Sequence, residues 1–225
     1  MTFSLVARCS QTGMLGVAIA SSSICVASRC PWVRSGVGAS TTKTVTDTSL
    51  GNLMLNYLEE GLNVQEAIDK IIENNKFINY RQLSLIDAKG NSASFTGSKI
   101  LGRHAVSKGV DCIATGNLLS STNVINSMTD NFKKNSNVHF IERLLLALQV
   151  GVDSGGEEGP IHSAGIKVAH ENSWPLVDLR IDWTENNPVA ELIQLWNTYK
   201  PQMEDYKSRA TNPDKAPSYG VPGDL

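Results

Sequence analysis

The run TFSLVARCSQTGMLGVAIAS, residues 2–21, decides the fold of this chain. Two strand-like segments, Phe3 to Cys9 and Leu15 to Ser21, flank Ser10-Gln11-Thr12-Gly13, whose Thr-Gly pair is typical of a hairpin turn. The sequence therefore predicts that the chain begins in a β-sheet, with its first two strands antiparallel.

The first of these strands opens with Thr2, directly after Met1. Threonine is small enough for Met1 to be removed, and removal would leave Thr2 at the amino terminus. A terminal threonine carries its own base, because its α-amino group has a reference pKa of ~7.7–8 and reaches its own hydroxyl directly or through one water. Thr2 is therefore a candidate nucleophile, although most Met-Thr starts mark only the beginning of translation.

Strand-like and helical segments alternate along the rest of the chain. Further strands are predicted at 36–43, 81–87, 92–96, 112–115, 163–169 and 176–181. Apolar residues at helical spacing predict helices at 50–58, 64–72, 121–132, 138–153 and 188–199, whereas 21–32 is loop-like. Strand pairs joined by tight turns form antiparallel sheets, and helix pairs can cover two outer faces. We therefore predict an α+β fold, a four-layer αββα sandwich with two stacked antiparallel sheets.

The composition is that of one medium-sized globular domain. The chain has 225 residues, of which 41% are hydrophobic and 19% charged, and a net charge of −2 gives no electrostatic attraction to nucleic acid or anionic membranes. We expect a single domain over residues 1–206 and a Pro- and Gly-containing tail over 207–225. Neither a signal peptide nor an apolar membrane span is recognisable, so the expected location is the cytoplasm.

The four cysteines have no Cys-x-x-Cys spacing and no Cys/His ligand spacing, so we expect free thiols rather than a zinc site or disulfides. The four histidines likewise form no metal-ligand motif with acidic neighbours. The sequence thus predicts no metal site.

An ordered set of short motifs connects the chain with a known family. The motifs are TFSLVA (2–7), GVAIAS (16–21), RCPW (29–32), GVGA (36–39), YRQ (80–82), FTG (95–97), GNLL (116–119), ERLL (142–145), GP (159–160), SAG (163–165) and VDLR (177–180). Together they closely resemble the domain-of-unknown-function 1028 (DUF1028) family, a group similar to N-terminal-nucleophile (Ntn) hydrolases. The resemblance covers about residues 2–200.

The resemblance implies an αββα sandwich with the nucleophile at the start of a central strand, and it implies hydrolysis of an amide bond. In such a mechanism the Thr2 hydroxyl attacks the amide carbonyl, the terminal amine transfers the proton, and water hydrolyses the acyl-threonine ester. This chemistry needs neither a metal nor another cofactor. The expected substrate is a small amide or a short peptide-like molecule.

Further site residues are expected around Thr2. Asn117, beside Gly116 at a strand end, offers an amide side chain and backbone N–H groups that can stabilise an oxyanion. An ordinary Gly-Asn turn is the alternative at this position. Ser21 ends the strand that should pair with the Thr2 strand, so its hydroxyl is a candidate for orienting the terminal amine or the substrate.

Four charged or titratable residues are candidates for substrate binding. Lys43 resembles the lysine that proteasome-like Ntn hydrolases place beside the terminal amine, but selection of an acidic substrate and simple solvation are alternatives. Arg29 can hold a carboxylate, so the substrate is expected to carry one. Glu158 lies in a glycine-rich acidic segment, followed by His162, that is suited to a lid or to binding an amine. An exposed loop with a lone histidine is the alternative for this segment.

Two other interpretations stay open at this point. In the first, the protein is a non-catalytic ligand-binding or assembly protein of the same fold, and Thr2 is only a strand residue. In the second, Cys30 is the nucleophile of a thiol hydrolase, although a buried inert cysteine is commoner. A homo-oligomer is the expected assembly.

Overall fold

Two stacked antiparallel sheets form the centre of the fold in the computed structural model, which describes residues 2–221. The larger sheet contains β1 (Thr2–Arg8), β2 (Leu15–Ser21), β7 (Ala105–Gly109), β8 (Cys112–Asn117), β9 (Ser163–Ala169) and β10 (Val177–Ile181). Its strand order is β10-β9-β2-β1-β8-β7, so β1 lies in the interior of the sheet between β2 and β8. The smaller sheet contains β3 (Pro31–Arg34), β4 (Gly38–Thr44), β5 (Arg81–Asp87) and β6 (Ser92–Thr96), in that order.

Helices cover the outer face of each sheet. The helices are α1 (Val26–Arg29), α2 (Ser49–Glu59), α3 (Val64–Asn74), α4 (Asn123–Lys134), α5 (Phe140–Asp153), α6 (Pro188–Tyr199) and α7 (Met203–Thr211). The helices α2 and α3 pack on the smaller sheet, and α4, α5 and α6 pack on the larger one. The predicted αββα layer order is therefore confirmed. Within residues 2–221, no helix combines the length and the apolar character needed to cross a bilayer.

Local sequence signals explain where two of these helices begin. Asn63 accepts hydrogen bonds from the backbone N–H groups of Gln65 and Glu66, and the Glu66 side chain accepts one from the Asn63 N–H, which completes a capping box at α3. The Asn187 side chain accepts hydrogen bonds from the backbone N–H groups of Val189 and Ala190 and so caps α6, ahead of Pro188 at the first helical position.

The alternation of side chains along β1 assigns its residues to two different layers. Phe3, Leu5 and Ala7 point to the helices and belong to the largest apolar cluster, whereas Val6 points to the opposite sheet. Thr2 and Ser4 share the face of Val6. The layer between the sheets is therefore apolar at the Val6 end and polar at the Thr2 end.

Three parts of the fold differ from the sequence prediction. The segment predicted as a loop over 21–32 contains α1 and the start of β3, which are short and stabilised by packing between the sheets. The edge strand β7 was not predicted, because its residues are mostly half-exposed and it pairs only with β8.

The third difference is in the expected tail from residue 207, whose first residues are helical rather than loop-like, because they belong to α7. Tertiary contacts hold this polar helix: Lys207 Nζ lies 2.8 Å from Glu171 Oε2, and the Arg209 guanidinium lies 3.9 Å from the centre of the Tyr219 ring. Residues 222–225 of the expected tail lie outside the described residues.

The buried Phe132 tests the packing of α4 on the larger sheet. We expect Phe132→Ala to lower the free energy of unfolding by about 3–5 kcal/mol, because the ring is fully buried and packs edge-on against Phe140. Phe77→Ala is the matched control, since 54% of Phe77 is exposed, and its effect should stay within about 0.5 kcal/mol. Equal effects of the two variants in urea unfolding would contradict this account of the core.

Candidate active site

Three polar side chains lie side by side at the polar end of the larger sheet. Thr2 pairs with Asn117 across β1 and β8, and the Thr2 Oγ1 atom lies 3.2 Å from Ser21 Oγ at the end of β2. Side chains directly opposite each other in a sheet have Cβ atoms about 4.5–5.5 Å apart. Thr2 is 6% exposed, and Ser21 and Asn117 are fully buried. Sequence reasoning expected these three residues in the site, and the structure brings them together.

The Lys43 side chain crosses from the smaller sheet to this end of the larger one. Its Nζ donates hydrogen bonds to Ser4 Oγ at 2.6 Å, to the Thr115 carbonyl at 2.9 Å and to the Thr115 hydroxyl. Ser4 and Thr115 pair directly and lie one row from Thr2 and Asn117 on the same face. Lys43 is completely buried, so the alternative of a solvated lysine is wrong.

Burial changes the protonation of this lysine. Removal from water disfavours the ammonium form and lowers the pKa of Lys43 to about 7. The hydrogen bonds that Lys43 Nζ donates to Ser4 and Thr115 oxygens orient the amine in both forms, because a neutral amine still has two N–H groups to donate. Lys43 therefore switches between a cation and a neutral amine near neutral pH.

Two amide side chains at and beside the Thr2 row, those of Asn117 and Gln82, have atoms without a hydrogen-bond partner among the described residues. No described residue hydrogen-bonds to the Nδ2 or Oδ1 atom of the buried Asn117 side chain. Gln82 donates to the Gly116 carbonyl at 3.2 Å and to Thr96, but its own Oε1 has no donor among the described residues. An unpaired buried polar group costs about 1–3 kcal/mol, so this cluster is suited to a polar ligand rather than to stability.

Gly116 and Asn117 are strand residues, so the alternative of a Gly-Asn turn is wrong. Both lie in β8, and the chain turns at Leu118, which has a φ of 51°. A Cβ atom at Gly116 would come within 2.9 Å of side-chain atoms of Leu119 and Ile125. Gly116 thus lets α4 pack closely behind Asn117 and fixes the position of that side chain.

Glu157, a residue that sequence reasoning did not select, closes the loop end of the site. Its Oε2 accepts a hydrogen bond from the Ser22 backbone N–H at 3.2 Å, and its backbone forms an isolated bridge with Leu119. The side chain is 5% exposed, and loss of solvation raises its carboxyl pKa to about 7, an effect that the Ser22 hydrogen bond partly offsets.

The remaining candidates lie in the loops around this end of the sheet. Arg29 is the last residue of α1, and its Nη1 donates to the carbonyls of Ile24 and Cys25, the latter at 2.9 Å, so backbone groups just before α1 engage part of the guanidinium. The Glu158 carboxylate is half-exposed and lies 3.8 Å from Arg103 Nη1. The carboxylate-bearing substrate that Arg29 suggested stays a prediction.

His162 joins the same loop layer through its backbone and its ring. Its N–H donates to the Ser21 carbonyl at 2.9 Å, and its ring stacks on Trp183 at 4.2 Å between centroids. The ring Nδ1 donates a hydrogen bond to the Thr184 carbonyl oxygen at 2.9 Å. Its predicted role in substrate binding stays a prediction.

The environment of Cys30 does not favour the thiol-hydrolase alternative. The four cysteines, all in the described part of the chain, are free, as predicted. Cys30 is buried, however, and loss of solvation raises the pKa of its thiol, although Thr46 partly offsets the effect. A raised pKa disfavours the thiolate, which is the nucleophilic form. Within residues 2–221 no group of His, Cys, Asp and Glu side chains has the geometry to hold a metal ion.

Two cavities lie near the ends of the sheets. One of about 290 Å³ borders Glu157, and its other lining residues come from 152–161 and 185–188. A larger one of about 470 Å³ lies beside Gly36 and Asp87, where β4 begins and β5 ends, at the opposite end of the smaller sheet from Lys43. Only the smaller cavity adjoins the candidate site.

Comparison with known proteins identifies the family. A family model described as a family of unknown function, DUF1028, matches residues 2–192. The chain belongs to this family. A DUF1028 protein from Silicibacter pomeroyi of known crystal structure is 32% identical, with a TM-score of 0.82 over 88% of this chain and 89% of the other. A search of curated proteins gave no significant match.

Two structures of Anbu, named an ancestral beta-subunit, show weaker similarity. Anbu from Yersinia bercovieri is 11% identical, with a TM-score of 0.40 over 97% of this chain and all of the other. A mutant Anbu from Hyphomicrobium sp. strain MC1 is 11% identical, with a TM-score of 0.42 over 98% of this chain and all of the other. We draw no conclusion about the DUF1028 chain from similarity at this level.

Sequence reasoning missed four residues of this DUF1028 site, namely Ser4, Gln82, Thr115 and Glu157. A signal was present for two of them. Ser4 lies two residues after Thr2, and Thr115 lies two residues before Asn117, in strands that are otherwise apolar or small. Polar residues at this spacing share one face of a strand, so each pair marks a polar patch inside the fold.

The buried Lys43 gives a prediction for stability against pH. Its folded pKa lies below its ordinary value, so between about pH 7 and 10.5 the unfolded chain binds more protons and stability rises with pH. The slope from one such proton approaches about 1.4 kcal/mol per pH unit. Lys43→Met should remove this rise.

The measurement is the free energy of unfolding in urea across this pH range, taken as the difference between variant and native protein. Lys89→Met, at an exposed turn, is the control and should leave the slope unchanged. A pH dependence identical in the native and Lys43→Met proteins would contradict the buried, shifted lysine.

Proposed function

We propose that this DUF1028 protein is a cofactor-free amidohydrolase of the Ntn type. It cleaves a small amide or peptide-like metabolite through Thr2, whose amine is exposed when Met1 is removed. Met1 itself lies outside the described residues. The observation that supports the proposal best is the buried row of Ser21, Thr2 and Asn117 with the Lys43 amine one row away.

The base of the reaction is the α-amino group of Thr2. Lys43 Nζ contacts Ser4, whose side chain is two strand residues, or about 6.6 Å, from that of Thr2. A protonated Lys43 one row from Thr2 disfavours a second cation nearby and would lower the pKa of the Thr2 amine. A larger fraction of the amine is then neutral and able to accept the hydroxyl proton.

The covalent step transfers one proton and forms one ester. Thr2 Oγ1 attacks the amide carbonyl carbon while its proton moves to the Thr2 amine, which then protonates the leaving amine as the C–N bond breaks. The amine next accepts a proton from water as the water oxygen attacks the acyl ester, and the resulting ammonium returns that proton to Thr2 Oγ1 as the ester C–O bond breaks and the acid leaves. Ser21 Oγ lies 3.2 Å from Thr2 Oγ1 and orients the Thr2 hydroxyl for the attack.

Asn117 supplies the oxyanion donor in this scheme. Its Nδ2 lies on the face and in the row of Thr2, and no described residue accepts its hydrogens. A fixed donor of this kind stabilises the negative charge on the carbonyl oxygen without reorganisation during the reaction. The buried amide group thus has a use in catalysis that it lacks in folding.

The first test concerns Thr2 and its amine. Intact-mass measurement of protein made from an untagged gene should show loss of Met1, and a screen of amide substrates should show hydrolysis. Thr2→Ala should abolish that hydrolysis with the fold intact, whereas Thr2→Ser should retain part of it, because serine keeps the hydroxyl and the amine. Full activity in Thr2→Ala, or in protein that keeps Met1, would favour a non-catalytic Thr2.

A second test separates catalysis from stability at Asn117. We expect Asn117→Ala to lower kcat by about 100-fold or more, the scale of a lost oxyanion donor, with little change in KM. Its free energy of unfolding should change little, since the variant removes two unpaired buried atoms. Asn197→Ala, on the exposed face of α6, is the control. An unchanged kcat would refute the oxyanion role.

A further inference from the structure

Glu157 occupies a defined position beyond the amino end of β1. The strand β1 runs antiparallel to both neighbours, so the segments that follow the ends of β2 and β8 extend past Thr2. Glu157 contacts both segments, through Ser22 after β2 and through Leu119 after β8. Its carboxyl-bearing loop therefore closes the end of the sheet at which a terminal amine of Thr2 would emerge.

Backbone hydrogen bonds fix this loop on both sides of Glu157. The Ser120 N–H donates to the Gly156 carbonyl at 3.1 Å, and the Glu158 N–H donates to the Leu118 carbonyl at 3.0 Å. Glu157 thus lies between two ladder contacts with the segment after β8. A carboxyl group held in this way is preorganised and does not depend on a flexible loop.

The Glu157 carboxyl is incompletely paired. Its Oε2 accepts the Ser22 N–H, but its buried Oε1 receives no hydrogen bond from any described residue. A buried carboxylate oxygen without a donor is costly, and an ammonium group is its natural complement. Removal of Met1 would create such an ammonium group at Thr2, the first residue of the strand whose end Glu157 closes.

We propose that Glu157 is a positioning residue that accepts a hydrogen bond from the α-amino group of Thr2 and orients this base toward the Thr2 hydroxyl. The inference rests on the proposed function, because it assigns a partner to the base of that mechanism. It also accounts for the buried acidic side chain without invoking a substrate.

The charged groups around Glu157 are compatible with this role. His162 follows in the same loop and lies near the carboxyl, but its Nδ1 is directed to Thr184, with Glu185 Oε2 at 3.8 Å. The Lys43 side chain extends from the smaller sheet and donates hydrogen bonds to Ser4 and Thr115 of the larger sheet. Glu157 thus stabilises the Thr2 ammonium and Lys43 destabilises it, which keeps the amine titratable near neutral pH.

The experiment measures the protonation of the amine directly. The chain is released from a cleavable fusion so that Thr2 is its first residue, and the amine is labelled with an acylating reagent at a series of pH values. Mass spectrometry of the terminal peptide gives the midpoint at which the amine becomes reactive. We expect Glu157→Gln to move this midpoint down by about one pH unit or more, since an opposite charge is lost.

Glu158→Gln is the matched control, because Glu158 is adjacent but half-exposed and directed to Arg103. It should leave the midpoint unchanged. An unchanged midpoint in a folded Glu157→Gln protein would overturn the proposal, as would an equal shift in both variants.

A second measurement needs no variant. In native protein labelled with ¹³C at glutamate carboxyls, acetylation of the Thr2 amine should raise the pKa of Glu157, because the coupling between two titrating groups is reciprocal. No change would overturn the proposal. Neither readout uses hydrolysis, so Thr2→Ala retaining activity would refute the proposed function alone.

Discussion

The hydrogen bonds of the buried Lys43 amine are the constraint on which the site depends. A charged or neutral amine between two sheets requires oxygen acceptors, and Ser4 and Thr115 supply them from paired positions of adjacent central strands. These acceptors make one end of the inter-sheet layer polar. The other end is packed with apolar residues such as Val6 and Ile113. The apolar packing and the polar candidate site thus occupy opposite ends of the same layer. The arrangement also fixes the register of β1 and β8, because a shift of one residue would turn Ser4 and Thr115 to the helices.

The hairpin of β1 and β2 and the αββα layers were predictable from the sequence, because tight turns and apolar periodicity act over short distances. The proximity of Thr2, Ser21 and Asn117 also follows from sequence, once the strands pair antiparallel at their ends. Glu157 was not predictable in this way. Its position depends on contacts with Ser22 and Leu119, which follow the ends of two strands and are each more than 30 residues away in the chain. No local sequence pattern encodes such contacts. The strand β7 and helix α7 escaped prediction for a related reason, since tertiary contacts stabilise elements whose own sequences are weakly patterned.

Buried polar atoms without a partner among the described residues occur both at the site and away from it, for example at Trp32, Arg143 and Trp196. Asn117, Gln82 and Glu157 all carry buried side-chain atoms without a partner among the described residues. Natural proteins leave few such groups, and each lowers stability by an amount comparable with a lost hydrogen bond. Those of Asn117, Gln82 and Glu157 lie near Thr2, where they can serve a polar ligand. The neighbouring hydroxyls are paired: Thr41 and Ser84 bond to each other at 2.6 Å, and Thr115 Oγ1 lies 3.4 Å from Ser84 Oγ.

Burial acts on Lys43 and Glu157 in opposite directions and brings both pKa values to about 7. Desolvation is the largest influence on the pKa of each group, and nearby charges oppose it at Glu157. In the proposed mechanism, the Thr2 amine is a third titratable group that would change this balance. A protonated Thr2 amine favours the carboxylate of Glu157 and the neutral form of Lys43, whereas a neutral amine favours the reverse. Proton transfer to and from Thr2 during catalysis would then be accompanied by compensating shifts on both sides, so the net charge of the buried site changes less than the charge of the base itself.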